Sequence, residues 1–156
     1  MKITWERDRG ILSWGNKSTL CWSKVRNEVN GLRELSEKPV HTENKDGSQG
    51  TVYMPRQFPK GKWHVYTIIP KADPYMAPEF IATDAYQMVD EWTEEDGHYG
   101  HKTGRQVLDY GYGLHNSTSS TTLGCGKIVS SLDRSKLTSA IQEALDKKEE
   151  VILEVI

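Results

Sequence analysis

Two periodicities alternate along the 156-residue chain. Lys2 to Asp8, Gly10 to Trp14 and Ser18 to Asn27 carry β-branched and aromatic residues in short runs, separated by Asp8-Arg9-Gly10 and Gly15-Asn16, and these predict strands joined by turns. Pro55-Arg56-Gln57-Phe58-Pro59-Lys60-Gly61-Lys62 predicts a turn, its lysines solvated, and Trp63-His64-Val65-Tyr66-Thr67-Ile68-Ile69 predicts a strand. A period of 3.6 emerges only near the end. Leu137, Ala140, Ile141, Ala144 and Leu145 line one face of a helix that Ser131 or Asp133 can cap, with Lys147 and Lys148 at its C-terminal end. Val151 to Ile156 then closes the chain as a buried strand.

Between these segments the pattern is weaker. Residues 30–50 are polar and predict a surface loop with one helical turn near Leu32 to Ser36. Pro70, Pro74 and Pro78 predict a loop or edge. Phe80 to Trp92 is ambiguous between strand and helix, and Thr93 to Gly104 predicts a charged loop. Arg105 to His115 alternates, and its Gly111-Tyr112-Gly113 is only half of a dinucleotide fingerprint, with no third glycine and no helix after it. The expectation is a mainly β (α+β) fold: one β-sandwich or barrel-like domain over residues 1–156, with a C-terminal helix followed by a terminal strand.

Composition narrows the function classes. A net charge of −2, with acids and bases interspersed, argues against nucleic-acid binding. No apolar run reaches the roughly 18 residues that span a bilayer, so no membrane span is expected. Met1 to Asp8 has no apolar stretch of the secretory kind, which implies no Sec-type signal peptide in this sequence. The two cysteines, Cys21 and Cys125, are too few for a disulfide framework, although a single bridge is open to them. Cys21 lies in a β-like run and reads as a buried, inert thiol.

Cys125 reads differently. His115 precedes it by ten positions (125 − 115), across small polar residues from Asn116 to Thr122, and Gly124 and Gly126 flank it. A thiol attacks as the thiolate, which a neighbouring imidazole can generate. Flanking glycines let a substrate carbonyl reach main-chain N–H groups. The plain alternatives are a structural imidazole and a buried thiol. A zinc site of His98, His101, His115 and Cys125 is a further reading, set against two solvated histidines in a charged loop. We expect no metal and no cofactor.

No histidine follows Cys125, which sets the chain apart from papain-like peptidases. His115 followed by Thr122-Leu123-Gly124-Cys125, the Pro59 to Val65 turn and strand, and the helix and strand after Asp133 together resemble the YkuD-like L,D-transpeptidase family of peptidoglycan enzymes. The resemblance covers most of the chain. The chain departs from the family in its shorter His–Cys spacing, in Gly126-Lys127 where an aliphatic residue and an arginine are common, and in Asn116 where glycine is common. The spacing is closer to compact relatives, some of them toxins delivered into neighbouring bacteria.

The resemblance implies a YkuD-type fold and acyl transfer on peptidoglycan stem peptides: L,D-transpeptidation, L,D-carboxypeptidase activity or D-amino-acid exchange. It implies Cys125 as nucleophile and His115 as base, with Gly124, Thr122 and Asn116 at the oxyanion site and loop, and Lys127 and Tyr112 as substrate contacts. It also implies action in the periplasm or cell wall after non-classical export or phage lysis, with an immunity protein or secretion component as partner. The alternative is a non-catalytic peptidoglycan-binding or phage structural module that keeps the fold.

Overall fold

The computed structural model describes residues 1–23, 40–43, 49–53, 56–72, 78–95, 98–116 and 124–156. Strand β1 (Lys2–Glu6) shows why the opening residues form a wall: Ile3 and Trp5 alternate inward and are fully buried. A 3-10 turn, Arg7–Arg9, ends at Gly10 with φ +71°. A Cβ there would lie 2.5 Å from the Trp22 ring, so both the backbone conformation and the space require glycine. Strands β2 (Ile11–Trp14) and β3 (Lys17–Trp22) then pair as a hairpin.

Two further strands, β4 (Val40–Glu43) and β5 (Gln49–Tyr53), pair antiparallel. β6 (Gly61–Pro70) and β7 (Glu79–Thr83) return the chain to the first wall. β8 (Tyr86–Glu95) and β9 (His98–Tyr110) form a long hairpin that extends the β4–β5 pair into a four-stranded sheet. β10 (Gly113–Asn116), β11 (Gly126–Ile128) and β12 (Ile152–Val155) complete the strands, with helix α1 (Ser131–Asp146) between the last two. Eight of the strands close a barrel in the order β1-β12-β6-β7-β10-β11-β3-β2. Closure removes the free edges that an open sheet would present.

Helix α1 lays its apolar stripe on this barrel. Leu137 and Ile141 are fully buried in one cluster with Ile3, Trp5, Leu12, Leu114, Ile128 and Leu153. Burying each such side chain contributes roughly 1.5–3 kcal/mol. Arg134 on α1 reaches Glu79 at 3.1 Å and ties the helix to β7. The mainly β architecture with a closing helix and strand is as the pattern predicts.

Several local expectations are corrected. The helix is capped by Ser130, whose hydroxyl accepts from the Asp133 N–H, and not by Ser131 or Asp133; Asp133 instead accepts a hydrogen bond from Thr19 at 2.7 Å. Within the expected Thr93 to Gly104 loop, residues 93–95 and 98–104 are strand, and the charged Glu94 and Lys102 there are exposed. Phe80 to Trp92 is two strands broken at Asp84-Ala85. Part of the expected 30–50 loop is β4 and the start of β5, while the helical turn near Leu32 to Ser36 lies outside the described residues. Lys60 and Lys62 are exposed and pair with Asp8 and Glu154.

Candidate active site

The site is set by the register of two short parallel strands. β10 and β11 pair as Leu114 with Gly126, His115 with Lys127 and Asn116 with Ile128. Side chains alternate across a strand, so the rows take opposite faces. Leu114 and Ile128 point inward and are fully buried. His115 and Lys127 take the other face. One step back along the same register, Cys125 lies opposite Gly113. Cys125 and His115 therefore share a face of neighbouring strands, two rows apart. Strand spacing and rise put their Cα atoms about 8 Å apart, a diagonal that an imidazole and a thiol can span. No hydrogen bond joins the two side chains among the described residues.

His115 is buried, and its ring stacks on Phe80 with centroids 6.3 Å apart. Its Nδ1 lies 3.2 Å from the Asn116 carbonyl oxygen. With the proton on Nδ1 donated to that oxygen, Nε2 carries the lone pair and is the basic nitrogen.

Cys125 is partly exposed, yet burial of the sulfur pushes its thiol pKa up to about 11. The Gly113 N–H pulls the other way, and the Asp109 carboxylate adds to the rise. Burial thus favours the protonated thiol at rest. Its neighbours are a strand backbone and an acid, where the small polar residues before it read as an open loop.

Three segments fix the residues around the sulfur. Gly124 has φ +115°, and a Cβ on it would come within 2.6 Å of the Tyr112 ring and 2.8 Å of the Arg56 carbonyl oxygen. Ser23 donates to the Gly124 carbonyl at 2.9 Å and accepts from the Phe58 N–H at 2.8 Å. Tyr112 packs edge-on against Phe58, donates to Asp109, and accepts from the Gln87 amide at 2.7 Å. Ser23, Asp109 and Gln87 were not found in the sequence, because Ser23 meets Gly124, Asp109 acts on Cys125 and Gln87 meets Tyr112 only through pairing across the fold. Alternation in Arg105 to His115 was the one available signal, and it marks a strand, not an acid beside a thiol.

The remaining sequence candidates fall in different places. Gly124 adjoins Cys125 as expected. Tyr112, expected as a substrate contact, is buried, with its hydroxyl bonded to Asp109. The Asn116 amide donates to the carbonyls of Ile128 at 2.7 Å and Val129 at 3.1 Å, and its oxygen accepts from Ser131. Asn116 therefore ties β10 to the β11–α1 junction. Lys127 sits beside His115, largely buried, with its pKa lowered by that burial. Thr122 lies outside the described residues.

The zinc reading gains no cluster: no group of three or more His, Cys, Asp or Glu able to hold a metal occurs among the described residues. His98 and His101 belong to β9 in the second sheet, whereas His115 and Cys125 stand on the barrel. Cys21 is fully buried on the inner face opposite Ile128, and burial pushes its thiol well above the usual range. Both cysteines are free. Among the described residues no helix is long and apolar enough to cross a membrane. Compared with known protein families, curated proteins and solved structures, the chain matches none.

Proposed function

We propose that this chain is a cysteine-dependent acyltransferase of the YkuD-like L,D-transpeptidase type, acting on peptidoglycan stem peptides in the periplasm or cell wall. The observation that carries the reading is the β10–β11 register, which sets His115 and Cys125 on one face of adjacent parallel strands.

The chemistry follows from the resting thiol. With a pKa of about 11, Cys125 loses its proton only as it attacks, so His115 Nε2 accepts that proton while sulfur bonds to the carbonyl carbon of the stem. The backbone N–H groups of Gly124 and Cys125 are the donors for the oxyanion, each contributing about 3–4 kcal/mol in comparable sites. Collapse breaks the C–N bond, and His115 returns the proton to the leaving amine, which departs as D-alanine. The thioester is then attacked by an amine or by water. His115 takes the incoming group's proton and delivers it to the departing sulfur. An amine acceptor gives a cross-link or an exchanged D-amino acid, and water gives a shortened stem.

Incubation with defined muropeptides and mass analysis of the products tests this. The wild-type chain should release D-alanine from tetrapeptide stems, and Cys125→Ala should release none. Product formation at the wild-type rate in that variant would end the proposal. His115→Ala should slow the reaction by about 10²–10⁴-fold.

A second reading is favoured by the raised thiol beside Asp109: a peptidoglycan-binding module that keeps the fold without the reaction. It expects stem-peptide binding with no product, and no carbapenem adduct on Cys125 by mass.

A further inference from the structure

A polar cleft of about 240 Å³ opens beside the candidate site, lined by Arg7, Arg56, Gln57 and Gln87. Its donors are unevenly engaged. Arg7 uses its Nε on Asp8 at 3.0 Å and one Nη1 bond on the Phe58 carbonyl at 2.8 Å, which leaves the rest of its fork unused. Arg56 is exposed and has no ion-pair partner among the described residues. The nearby acid, Asp8, is shared between Arg7 and Lys60. Both charged residues that line the cleft, Arg7 and Arg56, are cationic.

Gln87 adds direction. Its amide nitrogen donates both hydrogens, to the Gln57 carbonyl at 2.8 Å and to the Tyr112 hydroxyl at 2.7 Å. What remains to it is the Oε1 acceptor. A ligand complementary to the cleft thus carries a planar oxyanion for the guanidinium forks and an N–H for the glutamine oxygen. The C-terminal residue of a peptide has both, its carboxylate lying next to its own amide N–H. A bare phosphate or acetate has only the anion.

The cleft is joined to the thiol through a short relay. The Arg56 backbone lies against Gly124, and Gln87 bonds Tyr112, which bonds Asp109, whose charge is felt by Cys125. We propose that Arg7, Arg56 and Gln87 form a subsite for the free carboxylate and last amide N–H of a peptide. This deepens the acyltransfer reading, on which it rests for the identity of the peptide, by assigning the end of the chain that the protein recognises.

Binding measured by titration calorimetry, with no turnover required, tests it separately from the acyl-transfer reaction. N-acetyl-alanyl-alanine with a free carboxylate should bind the intact chain. The C-terminal amide of the same dipeptide should bind at least about tenfold more weakly, because the charge-assisted bonds are lost. Arg56→Ala should weaken the acid about tenfold and leave the amide unchanged, with Arg56→Lys intermediate, since a lysine offers a point charge and no fork. Unchanged thermal unfolding of these variants shows that the loss is local. Equal affinity for acid and amide, or no effect of Arg56→Ala, would overturn the subsite. Phosphate or acetate binding as tightly as the dipeptide acid would overturn the peptide assignment. Failed binding beside intact D-alanine release would reject the subsite and leave acyl transfer standing.

Discussion

The wall formed by β10 and β11 has two faces a single backbone apart, and they differ in almost every respect. Inside, Leu114 and Ile128 join Trp5, Leu137 and Ile141 in one buried cluster, and Gly126 leaves room for Leu114 and the Trp5 ring. Outside, the same strands carry His115, Cys125 and Lys127. A one-residue slip of β11 against β10 would exchange the sets, so the packing of Leu114 and Ile128 is also what aims the histidine and the cysteine. The inner face tolerates little because it is filled with apolar side chains, whereas the outer face carries the polar side chains of His115 and Lys127, also buried.

The largest expected effect comes from emptying the inner face. Leu114→Ala should cost about 2–5 kcal/mol in denaturant unfolding, from lost burial and the cavity left behind. Filling it should cost less. A Cβ on Gly126 would fall 2.3 Å from Leu114 Cδ2 and 2.8 Å from the Trp5 ring, so Gly126→Ala should destabilise by about 1–3 kcal/mol. If either variant unfolds like the wild type, the inner face does not set the register as argued.

The outer face predicts a pH effect. The Cys125 thiol sits at about 11 in the folded protein against an ordinary 9.0, so between those values the unfolded chain has released a proton that the native one keeps. Stability should fall as pH rises through that window, by up to about 1.4 kcal/mol for each pKa unit of separation, and Cys125→Ala should flatten part of the slope. Denaturant melts at pH 8 and pH 10 measure it. Alkylation should follow the same order: Cys125 reacting slowly at pH 7 and faster with rising pH, and Cys21 inert until the chain unfolds.

The smallest effect belongs to neither face. His64 lies between Asp84 at 3.2 Å and Glu150 at 2.8 Å, and its pKa is raised first by the bond to Glu150 and then by that to Asp84. This stabilisation is fully present below the ordinary value of 6.5 and is lost as pH rises through the higher folded value. The His64 imidazole resonances should titrate above 6.5, and Glu150→Gln should bring the midpoint down.

What could be read in advance follows the range of the interactions. Helix α1 and the closing strand show in local order, because their periods are written in consecutive residues. The β8–β9 hairpin was hidden by charge. Its exposed rows, Lys102 and Arg105 among them, resemble a loop when the partner strand is unknown. The thiol's surroundings were hidden by distance: Ser23, Asp109 and Tyr112 converge on residues 124–125 only after the barrel closes. The bonds of Asn116 were hidden in the same way: its amide donates to the carbonyls of Ile128 and Val129, twelve and thirteen residues on.

The position of β12 carries a kinetic consequence. It lies parallel to β1, Lys2 beside Ile152 and Trp5 beside Val155, and it is the piece that joins β1 to β6. During synthesis the outer edge of β1 stays unsatisfied until residue 152 leaves the ribosome, a delay on the order of 10 s at ordinary elongation rates. A nascent chain that carries an open strand edge so long is a natural client for chaperones, and the slow step of its refolding should be the docking of its last four-residue strand.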